Sequence, residues 1–240
     1  MTTSLLRGDV LDALGRAIVS GELAPGRTLR LEDIQARHGV SRTLARDCVR
    51  HLESLGLVES RRRVGAIVLP RAQWSALAPQ LIAWQIDVDP DGPTLGGLTE
   101  LRAAIEPVAA AAAARRATEE QRSALLTLGR RIQEQGRRGG VSTYLQADIE
   151  FHSLILAASQ NAAFSALTGV VAEVLRGRAR LGGEVDIPKQ EALELHREVA
   201  DAIASGSSAR AEEATRQLVS EVRSMLLEHG LRGWAAGQEE

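Results

Sequence analysis

The apolar and polar positions of residues 1–70 predict two short helices followed by a β-hairpin. Gly39 and Val40 form a turn between the helices, because glycine takes the positive φ that a helix C-terminus favours. Ser41 is placed to cap the second helix. The apolar positions of that helix recur at helical spacing: Leu44, Ala45, Cys48, Val49 and Leu52. This pattern predicts a helix-turn-helix with one buried face on its second helix.

The polar residues of the same segment point to DNA. Arg42, Thr43 and Arg46 lie at the N-terminal end of the second helix, off its apolar face, where a recognition helix meets base edges in a major groove. Three arginines precede a turn and a short strand, which indicates a wing that touches phosphates or the minor groove. The predicted DNA-binding residues are Ser41, Arg42, Thr43, Arg46, Arg61, Arg62, Arg63 and Gly65. The alternative is that these arginines form only a solvated basic face and do not contact DNA.

From Trp74 onward the pattern predicts helices and no strand. The predicted helices cover about 74–88, 94–116, 118–137, 142–159 with Ser142 as its cap, 162–181, 189–205, and a last one from Gly206-Ser207-Ser208 to about His229. Gly139-Gly140, Gly182-Gly183 and Pro188 separate some of them. A boundary at Leu69-Pro70-Arg71 gives two domains, 1–70 and 71–240. The expected fold is mostly α: an N-terminal winged helix-turn-helix and a C-terminal all-α antiparallel bundle of about seven helices.

Charge and composition support this division. The 240-residue chain has a formal net charge of −2, but residues 1–73 sum to +4 and the remainder to −6, as expected for a DNA-binding head on a different kind of body. The single cysteine, Cys48, excludes an internal disulfide framework and fits a reducing compartment. No apolar run reaches the roughly 18 residues of a membrane span, and the N-terminus has no signal-peptide pattern. We therefore expect a cytoplasmic protein with no membrane partner.

One set of residues in the helical body is a candidate metal site. Asp148 and His152 are four residues apart and share a helix face, while His196 lies on another helix, on an apolar stripe. A carboxylate and two imidazoles that converge inside a bundle hold a divalent first-row metal. The alternative from spacing alone is a simple i,i+4 pair with an isolated, half-buried histidine.

The motifs of both halves resemble one family. G-x-L-x-P-G-x-x-L, G-V-S-R-T-x-x-R-[ED], L-x-x-x-G-L-V and R-x-G-A-x-V follow in order, as in the winged helix-turn-helix of the GntR family of bacterial transcription regulators. The body, with L-T-E-L-R-A-A-I-E-P, D-I-E-F-H-S-L and E-L-H-R-E-V-A-D-A-I, is similar to the FCD effector domain of the FadR-type branch. The resemblance implies a homodimer on a palindromic operator.

The resemblance also implies ligands. Asp148, His152 and His196 match the metal-binding positions of the family, with zinc as the expected ion and nickel or manganese as alternatives. Leu218 stands where a further histidine is usual, which leaves three protein ligands. Arg102 is implied to face the cavity and grip a carboxylate, the alternative being an ion pair with Glu106. Arg176, Arg178 and Arg180 cluster on one predicted helix, and the sequence does not determine which of them lines the cavity. The expected effector-binding residues are Arg102, Asn161 and Arg180.

A narrower similarity concerns the effector. The segment W-S-A-L-A-P-Q-L-I-A-W-Q, followed by E-L-R-A-A-I-E-P, is similar to sugar-acid (galactonate-type) repressors. The expected function is therefore transcriptional repression, released by a small carboxylate such as a sugar acid. One alternative is a metal-responsive regulator. Another is a metal-dependent enzyme fused to a DNA-binding head, although no general base is evident beside the three candidate ligands.

Overall fold

The structure, a computed structural model, describes residues 2–138, 141–181 and 189–228. The chain divides into two compact units, the first ending at Asp89 and the second beginning at Pro90. Among the described residues, no helix combines the length and apolar character needed to cross a membrane.

The first unit is a helical cluster with a small sheet. Its elements are α1 (Thr2–Val19), β1 (Thr28–Leu29), α2 (Leu31–His38), α3 (Arg42–Ser54), β2 (Val58–Arg61), β3 (Gly65–Val68), a 3₁₀ helix (Arg71–Gln73) and α4 (Pro79–Val88). The three strands are antiparallel in the order β1-β3-β2. The predicted helix-turn-helix and wing are confirmed as α2, α3 and the β2–β3 hairpin.

Local chemistry sets the bounds of α3. The Ser41 side-chain oxygen accepts a hydrogen bond from the Leu44 N–H at 3.2 Å, and this caps the helix. Gly39 has a φ of 64° and ends α2 in the left-handed conformation, as predicted. Cys48 and Leu52 are fully buried on the apolar face of α3, so its polar side is left to solvent.

Helix α4 belongs to the first unit. It begins at Pro79, later than the predicted residue 74, because the preceding segment forms the 3₁₀ helix and an extended turn. Leu81 and Trp84 of α4 are buried in the same core as α1 and α3. The compact first unit therefore extends to Asp89, whereas the sequence placed the boundary at residue 70.

The described part of the second unit has seven helices. They are α5 (Pro93–Arg116), α6 (Glu119–Arg138), α7 (Val141–Ala158), α8 (Ala162–Ala166), α9 (Thr168–Leu181), α10 (Gln190–Ala204) and α11 (Ser208–Glu228). Helix α5 is central and packs against α7, α9, α10 and α11. Six consecutive alanines of α5, residues 109–114, are buried, and their small side chains allow the neighbouring helices to approach closely.

Two predicted features of this unit differ from the structure. The predicted helix 162–181 is two helices, because Leu167 ends α8 with its N–H bonded to the Phe164 carbonyl. Ser142 lies within α7 and is not its cap, since the preceding Val141 is already helical. The predicted breaks at Gly139-Gly140, Gly182-Gly183 and Pro188, and the predicted end at His229, lie outside the described residues.

Candidate functional site

The first candidate site is the exposed polar side of α3 together with the wing. Seven of the eight predicted DNA-binding residues are exposed, and Gly65 is half-buried in β3. The φ of Gly65 is 122°, and a Cβ there would lie 2.7 Å from the Leu29 carbonyl oxygen. Gly65 therefore serves the wing by letting β1 pass close to β3, and not through a side-chain contact. Arg63 has a φ of 62° and occupies the hairpin turn.

A groove of about 300 Å³ separates α3 from the wing. Arg46, Arg50 and Arg61 line it, and Glu53 joins its walls by accepting hydrogen bonds from the Ser60 N–H (2.9 Å) and side-chain hydroxyl (3.2 Å). Arg50 was missed by the sequence reasoning, although it lies one helical turn after Arg46. Arg50 and Arg61 also pair with Asp47 (3.6 Å) and Glu59 (3.0 Å), so the groove carries charges of both signs.

The second candidate site lies inside the helical unit. Asp148 and His152 project from α7 and His196 from α10, and all three are at most 2% exposed. One donor atom of each lies within 4.8 Å of the other two. Oδ1 of Asp148 is 3.3 Å from Nε2 of His152 and 2.9 Å from Nε2 of His196. The structure thus brings the three predicted metal ligands together.

Each of these three side chains is held by a second partner. Nδ1 of His196 is 2.6 Å from the Ala192 carbonyl oxygen, and Nδ1 of His152 is 2.5 Å from a Glu106 carboxylate oxygen. Oδ2 of Asp148 accepts a hydrogen bond from Nη2 of Arg178 at 2.8 Å. Because a carbonyl oxygen only accepts, Nδ1 of His196 carries the proton. Its Nε2 then presents to Asp148 either a second proton or a lone pair.

The donor set fits a divalent metal. Two lone pairs aimed at a carboxylate oxygen repel unless a cation or a proton lies between them. Zinc bonds of about 2.1 Å at the tetrahedral angle separate neighbouring ligand atoms by about 3.4 Å. The distance from Asp148 to His152 (3.3 Å) is close to this value, and that to His196 (2.9 Å) is shorter. Protonation is the competing way to supply positive charge. Burial lowers the pKa of His152, but the charge of Glu106 and the hydrogen bonds to Asp148 and Glu106 together raise that pKa above its ordinary value.

The surrounding charges are balanced. Burial by itself raises the pKa of Glu106, but Arg102 and His152 lower it to about 2. Burial also disfavours ionised Asp148, yet Arg178 and the two histidines hold its pKa well below the usual range. Two carboxylates and two guanidiniums therefore lie together in the bundle. We call the following set the buried cluster: Arg102, Glu106, Asp148, His152, Arg178 and His196.

The three predicted effector-binding residues lie in different environments. Arg102 is 1% exposed and makes the ion pair with Glu106 that was its alternative. Among the described residues its Nη1 still has no hydrogen-bond partner. Asn161 caps α8, with its side-chain oxygen accepting from the Ala163 N–H at 2.9 Å. Arg180 is exposed on α9, whereas Arg178, two residues earlier, is buried.

Two members of the buried cluster are missing from the predicted site residues, although Arg178 was considered there together with Arg176 and Arg180, of which Arg180 was chosen. Glu106 was considered only as a partner of Arg102, and its contact with His152 arises from the packing of α5 on α7. Arg178 continues the apolar stripe of Val171, Val174 and Leu175, a spacing that signals burial. Leu218 is buried at 2% and offers no ligand atom, as the sequence indicated.

Comparison with known proteins identifies the families to which the two parts of the chain are similar. Residues 6–68 match the model described as bacterial regulatory proteins, gntR family, and residues 98–221 match the FCD domain. The galactonate operon transcriptional repressor of Escherichia coli K12 is 28% identical over 88% of this chain and 92% of its own length. A probable D-xylose utilization operon transcriptional repressor of Paenarthrobacter nicotinovorans is 28% identical over 89% of this chain and 85% of its own length. The solved structure of a Streptococcus agalactiae GntR is 25% identical, with a TM-score of 0.51 over 91% of this chain and 99% of that one.

Proposed function

Because the chain belongs to the gntR family of bacterial regulatory proteins and carries an FCD domain, we propose that it represses a sugar-acid operon and leaves its operator when a small carboxylate binds the helical unit. Membership makes it a transcription regulator that binds DNA, and not an enzyme. The sugar-acid part is supported by the name of the galactonate repressor to which the chain is similar, whereas the second relative is named for a neutral sugar, D-xylose. The family membership excludes the alternative of a metal-dependent enzyme fused to a DNA-binding head.

The operator contacts are assigned to the polar side of α3 and to the wing. Arg42 and Arg46 are exposed at the start of α3, where arginine reads guanine in the major groove. Arg61, Arg62 and Arg63 surround the wing turn and contact phosphates or the minor groove. The protein acts as a homodimer on a palindromic site, because two-fold protein symmetry is matched by operator symmetry.

The buried cluster is the observation that carries the effector proposal. Asp148, His152 and His196 would hold a divalent cation, which supplies positive charge and open coordination positions for carboxylate oxygens. Leu218 adds no fourth ligand, so those positions stay available. In the described part of the chain, Nη1 of Arg102 and Nε of Arg178 are buried guanidinium donors without partners. A bound carboxylate satisfies such donors, because an unpaired buried donor costs about 1–3 kcal/mol.

Thermal unfolding of the full chain with zinc and galactonate, with and without chelator, tests this proposal. Ligand at about a hundred times its Kd stabilises the folded state by about 2.7 kcal/mol. We expect galactonate to raise the melting temperature only when metal is present, and His152→Ala to abolish the shift. His38→Ala, which removes an imidazole from the first unit, is the matched control and keeps the shift. A shift that survives in His152→Ala would contradict the site assignment.

A metal-responsive regulator is the second candidate, and it is favoured by the closeness of the three donors. In that case zinc alone changes operator affinity, and galactonate adds nothing. In an effector-controlled repressor the metal is a fixed part of the site, and operator affinity in the absence of acid is the same before and after metal loading. Operator titrations with metal alone separate the two.

A further inference from the structure

Arg178 is the member of the buried cluster that donates a hydrogen bond to Asp148. It is 8% exposed on α9, and its Nη2 donates to Oδ2 of Asp148 at 2.8 Å. The partners of His152 and His196 are a carboxylate on α5 and a carbonyl within α10. Arg178 is thus the cation assigned to the one anionic member of the predicted ligand set.

We propose that Arg178 is a positioning residue for the metal site: it holds Oδ2 of Asp148 so that only Oδ1 faces the two imidazoles. This inference rests on the metal-binding part of the proposed function. It assigns Asp148 as a one-oxygen ligand and thereby keeps coordination positions free for a ligand from outside the protein. It also replaces the expectation that Arg180 serves the cavity, because Arg180 is exposed.

The geometry supports a positioning role. The Asp148 carboxylate can rotate about its Cβ–Cγ bond unless both oxygens are held, and here each oxygen has its own partners. Oδ2 contacts Arg178, while Oδ1 contacts Nε2 of both histidines. Mutation of groups that orient metal ligands in this way typically weakens metal affinity by about 10- to 100-fold.

Electrostatics support the same role. Asp148 is fully buried, so no solvent lies beside its carboxylate. Nη2 of Arg178 is 2.8 Å from Oδ2 and places a positive charge next to this carboxylate. Arg178 is itself fixed by Tyr144, a buried residue of α7 whose hydroxyl interacts with the guanidinium.

Zinc affinity of the metal-free full chain, measured by competition with a chromogenic chelator, tests the inference with the metal alone. We expect Arg178→Met to weaken zinc binding by about 10- to 100-fold, the range for outer partners of metal ligands. Arg178→Lys keeps the charge and recovers part of this loss. Arg176→Met changes an exposed arginine of the same helix and leaves zinc affinity unchanged.

A second measurement distinguishes a positioning role from a merely structural one. Unfolding of the metal-free proteins reports stability, and a structural ion pair would lower it without a selective loss of zinc affinity. If Arg178→Met binds zinc as tightly as the wild type, the inference is overturned. If Arg178→Met does not fold, Arg178→Lys decides: a clear loss of zinc affinity supports the inference, and unchanged affinity overturns it. A wild-type chain that binds no zinc overturns this inference together with the metal-binding proposal, whereas equal binding by wild type and variants overturns this inference alone.

Discussion

Gly15 allows α4 to dock on α1, and replacing it with alanine tests how the first unit is built. A Cβ at Gly15 would lie 2.5–2.6 Å from three ring carbons of Trp84, far inside the 3.5–4.0 Å of favourable carbon contact. Trp84 is 2% exposed, and its Nε1 donates to Asp12 at 2.9 Å. A shift of the buried ring that relieves the clash therefore disturbs both its packing and this bond.

The expected cost follows from these contacts. Overpacking a core costs about 1–3 kcal/mol, and the loss of the Trp84 hydrogen bond adds about 1 kcal/mol. Alanine recovers about 1 kcal/mol relative to glycine inside a helix. The net destabilisation of Gly15→Ala is thus about 2 kcal/mol, which corresponds to roughly 10 °C in melting temperature for a unit of this size.

Urea and thermal unfolding followed by circular dichroism measure this change. Gly8→Ala is the matched control, because Gly8 lies in the same helix and nothing is within 4 Å of the added Cβ. It gains helix propensity without a clash, so the two variants should shift stability in opposite directions. Equal stability of Gly15→Ala and Gly8→Ala would refute the docking of Trp84 against α1.

Four other changes have defined outcomes. Arg46→Ala should weaken operator binding by about 1–3 kcal/mol and relax base preference; unchanged affinity in a gel-shift titration would remove α3 as the recognition helix. Arg62→Ala should weaken binding to all sequences and reduce the salt slope by about one, so an unchanged slope argues against a phosphate contact. Arg122 donates to the last carbonyls of both α5 and α10, and Arg122→Ala should lower unfolding free energy by about 2–3 kcal/mol; a loss below about 0.5 kcal/mol contradicts this. The folded pKa of Glu106, about 2, lies below its ordinary 4.5, so its contribution to stability is present above pH 4.5 and is lost as pH falls toward 2. Acid unfolding of Glu106→Gln should show a weaker dependence on pH across this window.

Local signals in the sequence were enough to predict α2, α3 and the wing of the DNA-binding head, whereas α1 and β1 were not predicted. Ser41 and Gly39 act on their immediate neighbours, through a cap and a positive φ, and such effects can be read from short segments. Start and stop signals were likewise sufficient to predict helices over 94–116 and 189–205, which correspond to α5 and α10, because proline and glycine residues flank these segments. The position of Trp84 was not predictable in this way, because its partner Gly15 lies on a helix far away in the chain.

The candidate metal site was predictable in part. The motif placed Asp148 and His152 on one helix face and His196 on another helix, but their convergence depends on how α7 and α10 pack. The choice between Arg178 and Arg180 turned on which face of α9 is buried, and residues two apart lie on different faces of a helix. Arg178 continues the apolar stripe of α9, so a closer reading of periodicity would have selected it.

Operator affinity of the metal-loaded protein at increasing galactonate concentration tests the central claim most directly. We predict that the acid weakens operator binding, that chelator removes the effect, and that His152→Ala binds operator normally but does not respond. By reciprocity, operator DNA should weaken acid binding by the same factor. Operator affinity that is unchanged or strengthened by the acid, in a protein shown to contain bound metal, would contradict the account.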